Sequence, residues 1–312
     1  MVWSVPAFPW APAAIMDGET MNPIEPPARL AFVGLGVMGH AMAANLLKAG
    51  FALAVHSRTR KELPGADWAA SAAEAARGAV CIGLCVPDTP DVERVLFGPG
   101  GIAEGAAPGS VVIDFSTISA AATEGFAARL AAQGVTLLDS PVSGGPQGAI
   151  DGTLTCMVGG DEAAFAAAHA VFAAVGKTIT RLGGPGAGQV CKAANQLMIA
   201  GTMHAVFEAL VMGRKAGLDP RVMREALLGG SAQSAVLANH ALRWMEGRFT
   251  PGFRAELMLK DLRLAAETLA AQGVYSPVAA ATRATMEAVC AGDDALRDVV
   301  ILGETIARRS EG

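Results

Sequence analysis

The chemistry legible in this sequence centres on a lysine inside an apolar helical stretch. Lys192 stands in Gly186-Ala-Gly-Gln-Val-Cys-Lys192-Ala-Ala-Asn195-Gln196, one helical turn before two carboxamides. At i+3 and i+4, Asn195 and Gln196 share its helix face and can orient an ammonium or a substrate hydroxyl. Desolvation and nearby basic charge would lower the lysine pKa toward neutrality, which suits a proton donor. The plainer alternative is a lysine whose stem lies on apolar surface while its ammonium stays in water.

Two glycine-rich segments precede it. In Asp139-Ser-Pro-Val-Ser143-Gly144-Gly145, successive flexible backbone amides and a hydroxyl can form a concave anion site, although a plain turn has the same composition. A carboxylate held there needs no buried cation. Further upstream, Leu30-Ala-Phe-Val-Gly34-Leu35-Gly36-Val37-Met38-Gly39 places G-x-G-x-x-G directly after a strand and at the mouth of a helix. That context predicts a dinucleotide whose pyrophosphate meets the free N–H groups of the helix start.

The next strand runs into Ser57-Arg58-Thr59-Arg60, where an NAD-binding protein would place an acid against the ribose 2′-hydroxyl. No acid is present. Ser57 can hydrogen-bond and Arg58 and Arg60 can pair with a 2′-phosphate, so NADP is favoured and NAD remains possible. If both arginines are merely solvated strand-end charges, selectivity is weak. Val86-Pro87 and Thr117 follow the next two strands. They either contact ribose and nicotinamide through the backbone or simply punctuate loops.

The elements that must position these residues show in the patterning. Short apolar runs at 30–35, 51–56, 79–86, 111–115 and 135–138 read as buried strands. Helical patterns at 38–49, 69–77, 90–96 and 120–133 alternate with them, and 153–158, a helix at 161–175 and 178–182 extend the series. This is the pattern of an α/β, Rossmann-type parallel sheet covered by helices. After 183–188 the strands disappear. One helix over 188–216 would span roughly 43 Å, long enough to link two domains. Helices at 220–228, 234–246, 254–271, 277–291 and 295–308 complete an all-α region. The expected organisation is a disordered extension at 1–28, a dinucleotide-binding domain at 29–185 and a helical substrate and dimerisation domain at 186–312.

Composition narrows the function classes. With 52% hydrophobic and 17% charged residues, the chain can bury a large core and is not disordered. A net charge of −5 gives no reason to expect nucleic acid or an acidic membrane. No uninterrupted apolar stretch reaches about 18 residues, so no transmembrane helix is expected. Cys81, Cys85, Cys156, Cys191 and Cys290 form no CxxC pair and have no histidine at metal spacing. They read as reduced thiols of a cytoplasmic protein without a metal site.

Together these residues resemble a known family. GLGVMGHAMAANLLKAG, DSPVSGGPQGAIDGTLTCMVGG, GAGQVCKAANQ and LMLKDLRLA occur in an order similar to that of β-hydroxyacid dehydrogenases of the 3-hydroxyisobutyrate dehydrogenase and tartronate semialdehyde reductase group. The resemblance covers about residues 29 to 309. It implies a Rossmann-type domain, a helical domain and a substrate cleft between them. By position it implies Lys192 as the catalytic lysine and Ser143, Gly144 and Gly145 as the carboxylate-binding turn. Asn195 would orient the substrate with Gln196 beside it, and Lys260 would reach back to the cofactor near the nicotinamide. Val86, Pro87 and Thr117 match cofactor-contacting positions. Gln196 stands where many members carry a second asparagine, and Ser57 stands where NADP-using members often carry one.

The expected activity is reversible hydride transfer between NADP(H) and a small 3-hydroxy acid or its semialdehyde, with Lys192 as general acid and base. Methylmalonate, tartronate and succinate semialdehydes and glyoxylate all fit. Ser231, Gln233 and Phe253 are candidates for the pocket wall. The rivals are an imine reductase of the same architecture and a non-catalytic NADP-binding interaction module. The apolar helical domain suggests a homodimer or homotetramer.

Overall fold

The computed structural model describes residues 21–311. Nine strands form one sheet: β1 (Arg29–Val33), β2 (Ala52–His56), β3 (Asp67–Trp68), β4 (Cys81–Leu84), β5 (Val111–Asp114), β6 (Thr136–Asp139), β7 (Val142–Ser143), β8 (Leu154–Gly159) and β9 (Gly176–Gly183). Their order is β3-β2-β1-β4-β5-β6-β8-β7, with β9 beside β8. The six from β3 to β6 run parallel, and β8 turns antiparallel to β6 and β7.

Strand β1 shows why the sheet is central. Leu30 and Phe32 enter one core layer with Met42, Phe115 and Phe172, while Ala31 and Val33 enter the other with Ile82, Leu84 and Val112. Both faces are covered, so the strand reads as a continuous apolar run. In β4, a Cβ on Gly83 would lie 2.8 Å from the Phe32 ring, and the missing side chain makes room for that ring.

The α/β alternation expected from the sequence is present, followed by a helical region. The helix Ala187–Lys215 runs for 29 residues. Met203, Phe207 and Leu210 from it pack with Trp244, Met258 and Met286 in a separate core. The helix is long and apolar enough to cross a membrane by length and composition, with a window hydropathy of 1.3, yet half of that window is buried inside the fold.

Several expected elements differ, and three of the differences coincide with hydrogen bonds from elsewhere in the chain. The helix over 161–175 breaks into Glu162–Ala167 and His169–Val175. The Ala167 carbonyl is taken by the Ile24 N–H at 2.8 Å, and Val171 bonds Ala168 instead. Ile24 is itself buried, so the ordered chain begins before Arg29 and the expected disordered extension does not hold for residues 21–28. Residues 1–20 of that extension lie outside the described residues.

Within 234–246, a π-helical turn at Val236–His240 precedes Ala241–Met245. Arg224 donates from Nε to Leu237 O at 3.0 Å and from Nη2 to Ala238 O at 2.6 Å, supplying donors at the widened turn. The helix over 295–308 divides at Asp298, whose fully buried carboxylate accepts from the amides of Gly252, Phe253 and Val300 and pairs with Arg243. Two strands, β3 and β7, and the helix Gly145–Asp151 had no counterpart in the sequence patterning.

Candidate active site

At the end of β1 the chain turns through Gly34, whose φ of +95° lies in the left-handed region. A Cβ there would strike the Cys85 carbonyl oxygen, and one on Gly39 would strike the carbonyl oxygen of Gly34. Gly36 is different: a Cβ on it would meet nothing within 4 Å. Two glycines therefore bring backbones together and the third faces open space. The helix Val37–Lys48 starts there without a side-chain cap, and among the described residues the Val37, Met38 and Gly39 amides have no acceptor, which lets them face an anion. This is the cradle a dinucleotide pyrophosphate requires, and these residues fit the group.

Leu35 and Ser57 have a bracing part in that cradle. Leu35 is fully buried, and its N–H donates to Ser57 Oγ at 3.2 Å, which braces the loop and leaves the half-buried Ser57 hydroxyl its own O–H to donate. Arg60 lies over the Trp68 ring at 5.3 Å, and Arg58 and Thr59 are exposed just beyond the end of β2. The ends of β4 and β5 are joined by the Val86 N–H donating to Ser116 Oγ at 3.0 Å. Lys260, on the helix Ala255–Ala271, crosses from the helical region and donates to Pro87 O at 3.1 Å and Thr117 O at 2.5 Å.

The sheet also sets the start of the long helix. Asp139, fully buried at the end of β6, accepts from Gly186 N at 2.8 Å and Gln189 N at 2.9 Å. Burial outweighs these hydrogen bonds and pushes its pKa up to about 6. Gln189 accepts from Ile118 N at 3.1 Å and donates to Ser116 O at 2.9 Å. One turn further along, Lys192 is 7% exposed and its Nζ donates to Val142 O at 2.8 Å. Burial pulls the Lys192 pKa below the ordinary lysine value; nearby Lys260 adds to this and Asp261 opposes it. The lysine is thus buried and aimed, not a surface cation.

Val142 O belongs to the residue just before Ser143, so the ammonium sits beside the Ser143–Gly145 segment. Gly144 and Gly145 have φ of +136° and +64° and lead into the helix Gly145–Asp151. Their amides donate to no protein acceptor among the described residues. Donors for a carboxylate and a buried lysine therefore lie together, with Lys260 tying the same helical region to the cofactor edge.

The expectation for Gln196 needs correction. It is 4% exposed, and both ends of its amide are committed: Oε1 accepts from Asn195 Nδ2 at 2.8 Å and Nε2 donates to Asp261 Oδ2 at 2.6 Å. It braces Asn195 instead of facing a ligand. Ser231 and Gln233 are exposed, and Phe253 packs on the helical core. Asp139, Gln189 and Asp261 were missed from the sequence. Asp261 had a signal, since it shares the apolar stripe of Met258, Leu262 and Ala265 on its helix.

Comparison with known proteins identifies the family. A model of the NAD-binding domain of 6-phosphogluconate dehydrogenase matches residues 29–184, and a model of the NAD-binding domain of NADP-dependent 3-hydroxyisobutyrate dehydrogenase matches residues 186–303. The chain is 44% identical to 2-hydroxy-3-oxopropionate reductase of Escherichia coli (strain K12) over 253 residues, 80% of this chain and 87% of that one. Mycobacterium tuberculosis 3-hydroxyisobutyrate dehydrogenase, solved with L-serine, superposes with a TM-score of 0.82 at 30% identity, covering 89% of this chain and 99% of that one. An imine reductase from Myxococcus stipitatus in complex with NADP+ shares the fold at a TM-score of 0.59 and 19% identity, over 89% of this chain and 99% of its own. Two matched models spanning most of the chain and a relative of this identity establish that it belongs to the β-hydroxyacid dehydrogenases, NAD(P)-dependent oxidoreductases acting on the CH–OH group of hydroxyacids.

Proposed function

We propose that this chain reduces a short carboxylate-bearing semialdehyde with NADPH, and that tartronate semialdehyde (2-hydroxy-3-oxopropionate) is the first candidate. The observation that carries the reading is the buried Lys192 ammonium held at 2.8 Å from Val142 O, beside the free amides of Gly144 and Gly145. The 44% identity to the Escherichia coli 2-hydroxy-3-oxopropionate reductase supports this choice of substrate. The NADP preference is supported by exposed Arg58 and by the absence of an acid at the end of β2.

The bound nicotinamide supplies the hydride. The Ser143–Gly145 segment holds the substrate carboxylate through backbone N–H groups, and Asn195 steadies the carbonyl oxygen with its remaining N–H. Lys192 gives its proton to that oxygen as negative charge develops there, and in the reverse direction neutral Lys192 takes the proton from the hydroxyl. Lys260 holds the Pro87 and Thr117 carbonyls, which keeps the cofactor edge closed against the helical region.

An aldehyde panel run with NADPH and NADH in parallel tests the assignment. Turnover of tartronate semialdehyde with NADPH, lost in Lys192→Ala while NADPH still binds, is the expected result. Reduction of a cyclic imine but of no aldehyde would overturn it. We also place the chain in the cytoplasm as a homodimer or homotetramer. The five free cysteines and the exposed apolar residues Val190, Met198 and Met212 of the long helix support that placement.

A further inference from the structure

A half-buried carboxamide, Asn195, and two buried polar side chains, Gln196 and Asp261, link the substrate side of the site to the cofactor edge. Asn195 Nδ2 donates to Gln196 Oε1 at 2.8 Å, and Gln196 Nε2 donates to Asp261 Oδ2 at 2.6 Å. The other carboxylate oxygen of Asp261 lies 3.1 Å from Lys260 Nζ, which in turn holds the carbonyls of Pro87 and Thr117. Asp261 and Gln196 are 3% and 4% exposed, so solvent does not compete for these groups.

The chemistry of the groups gives the chain a direction. An ionised carboxylate only accepts hydrogen bonds, so the Gln196 amide must turn its NH2 toward Asp261. Its carbonyl then faces Asn195 and can only accept, so Asn195 must turn its NH2 toward Gln196. One N–H of Asn195 is consumed, and the other N–H and the carbonyl oxygen acquire fixed positions. Without the carboxylate, each carboxamide could flip by half a turn and exchange donor for acceptor.

We propose that Asp261 and Gln196 are positioning residues that fix which way the Asn195 carboxamide faces the substrate oxygen, without touching the substrate themselves. The proposal rests on Lys192 and Asn195 being the substrate-facing pair. It assigns Gln196 a role that depends on its length and on its one-donor, one-acceptor polarity along the chain. The charged group facing Gln196 is Asp261 from the neighbouring helix, which is paired with Lys260, and Lys192 one turn away is influenced by Asp261, Lys260 and Cys191.

Two substitutions at 196 separate positioning from filling space. Gln196→Met keeps the length and removes both hydrogen bonds, and kcat for the best semialdehyde of the panel should fall on the order of 10- to 100-fold. Gln196→Glu reproduces the direction of the amide when protonated: its O–H donates to Asp261 and its carbonyl accepts from Asn195. As pH rises that proton leaves and two carboxylates face each other. The rate ratio of Gln196→Glu to Gln196→Met should therefore exceed roughly tenfold near pH 5 and approach one above pH 8. A ratio that stays at one across the range, or wild-type kinetics in Gln196→Met, overturns the proposal.

An arm without turnover reads the chain directly. With selective 15N labelling of asparagine and glutamine, the Asn195 and Gln196 carboxamide protons should exchange slowly in the wild type and rapidly in Asp261→Asn. Rapid exchange in the wild type overturns the chain whatever the substrate is. Wild-type rates in Lys192→Ala would remove the catalytic pair and the positioning role with it, while leaving the amide spectrum unchanged. The two failures are thus read separately.

Discussion

A buried lysine beside unclaimed backbone donors sets a measurable pH dependence. Because burial lowers the Lys192 pKa, the protonated form needed for reduction is lost at a lower pH than for an ordinary lysine. Reduction should be level at low pH and fall about tenfold per unit above that pKa. Oxidation should rise through the same midpoint, since it uses the neutral amine. Lys192→Arg keeps the charge but does not titrate in this range. Its residual rate, at least about 100-fold down, should show neither limb when kcat/KM is followed from pH 5 to 10. Arg58 acts at the opposite end of the cofactor. Arg58→Ala should raise KM for NADPH by roughly 10- to 100-fold, the worth of one or two charge-assisted hydrogen bonds, and leave KM for NADH within about twofold. Equal effects on both cofactors would show that Arg58 does not read the 2′-phosphate.

Strand ends, more than any single side chain, hold the site together. Asp114 and Asp139 are register partners at the ends of β5 and β6, both buried, with pKa values raised to about 7 and about 6. Burial is the main cause for each, and at Asp114 the neighbouring Asp139 adds to it. A carboxyl raised above its unfolded value of 3.8 contributes stability below that value and loses it as pH rises through the folded pKa, here between about pH 4 and 7. Asp114→Asn keeps an acceptor for the Ser116 N–H and does not titrate. Relative to the wild type it should gain stability between pH 4 and 8, by up to about 4 kcal/mol, seen as diverging urea midpoints. Parallel midpoints would show that Asp114 ionises normally. The same elements show what local sequence could and could not reveal. The Gly34–Gly39 turn and the Lys192 helix were legible because their local form follows from residues a few positions apart. Asp261 pairing with Gln196, Ile24 capturing the Ala167 carbonyl and Arg224 donating to the π-turn were not, because each depends on a partner distant in the chain. The corrected role of Gln196 has the same origin: its neighbours on the helix were visible, while the carboxylate that claims its amide was not.

At the scale of the molecule, the long helix leaves apolar side chains uncovered. Met198 is 72% exposed, and Val278, at 57%, lies near it, since a Cβ on Gly201 would be 3.2 Å from Val278 Cγ1. Tyr275 is also uncovered, at 91% exposure, and exposed apolar side chains of this kind are what a symmetric assembly buries. Sedimentation should show a dimer or tetramer, and Met198→Glu should shift it toward monomer. An unchanged sedimentation coefficient would place the interface elsewhere. The Asp139 clamp has a consequence for how such an enzyme diversifies. The start of the lysine's helix is tied to the sheet through Asp139 and Gln189, while the helices after residue 216 pack against that helix in a separate core. A protein built this way takes the placement of its buried lysine from the sheet and is free to vary in the other layer. Grafting the helices after residue 216 from a relative of different preference, with Lys260 and Asp261 retained, should therefore change which substrate is accepted and leave the Lys192 titration where it was.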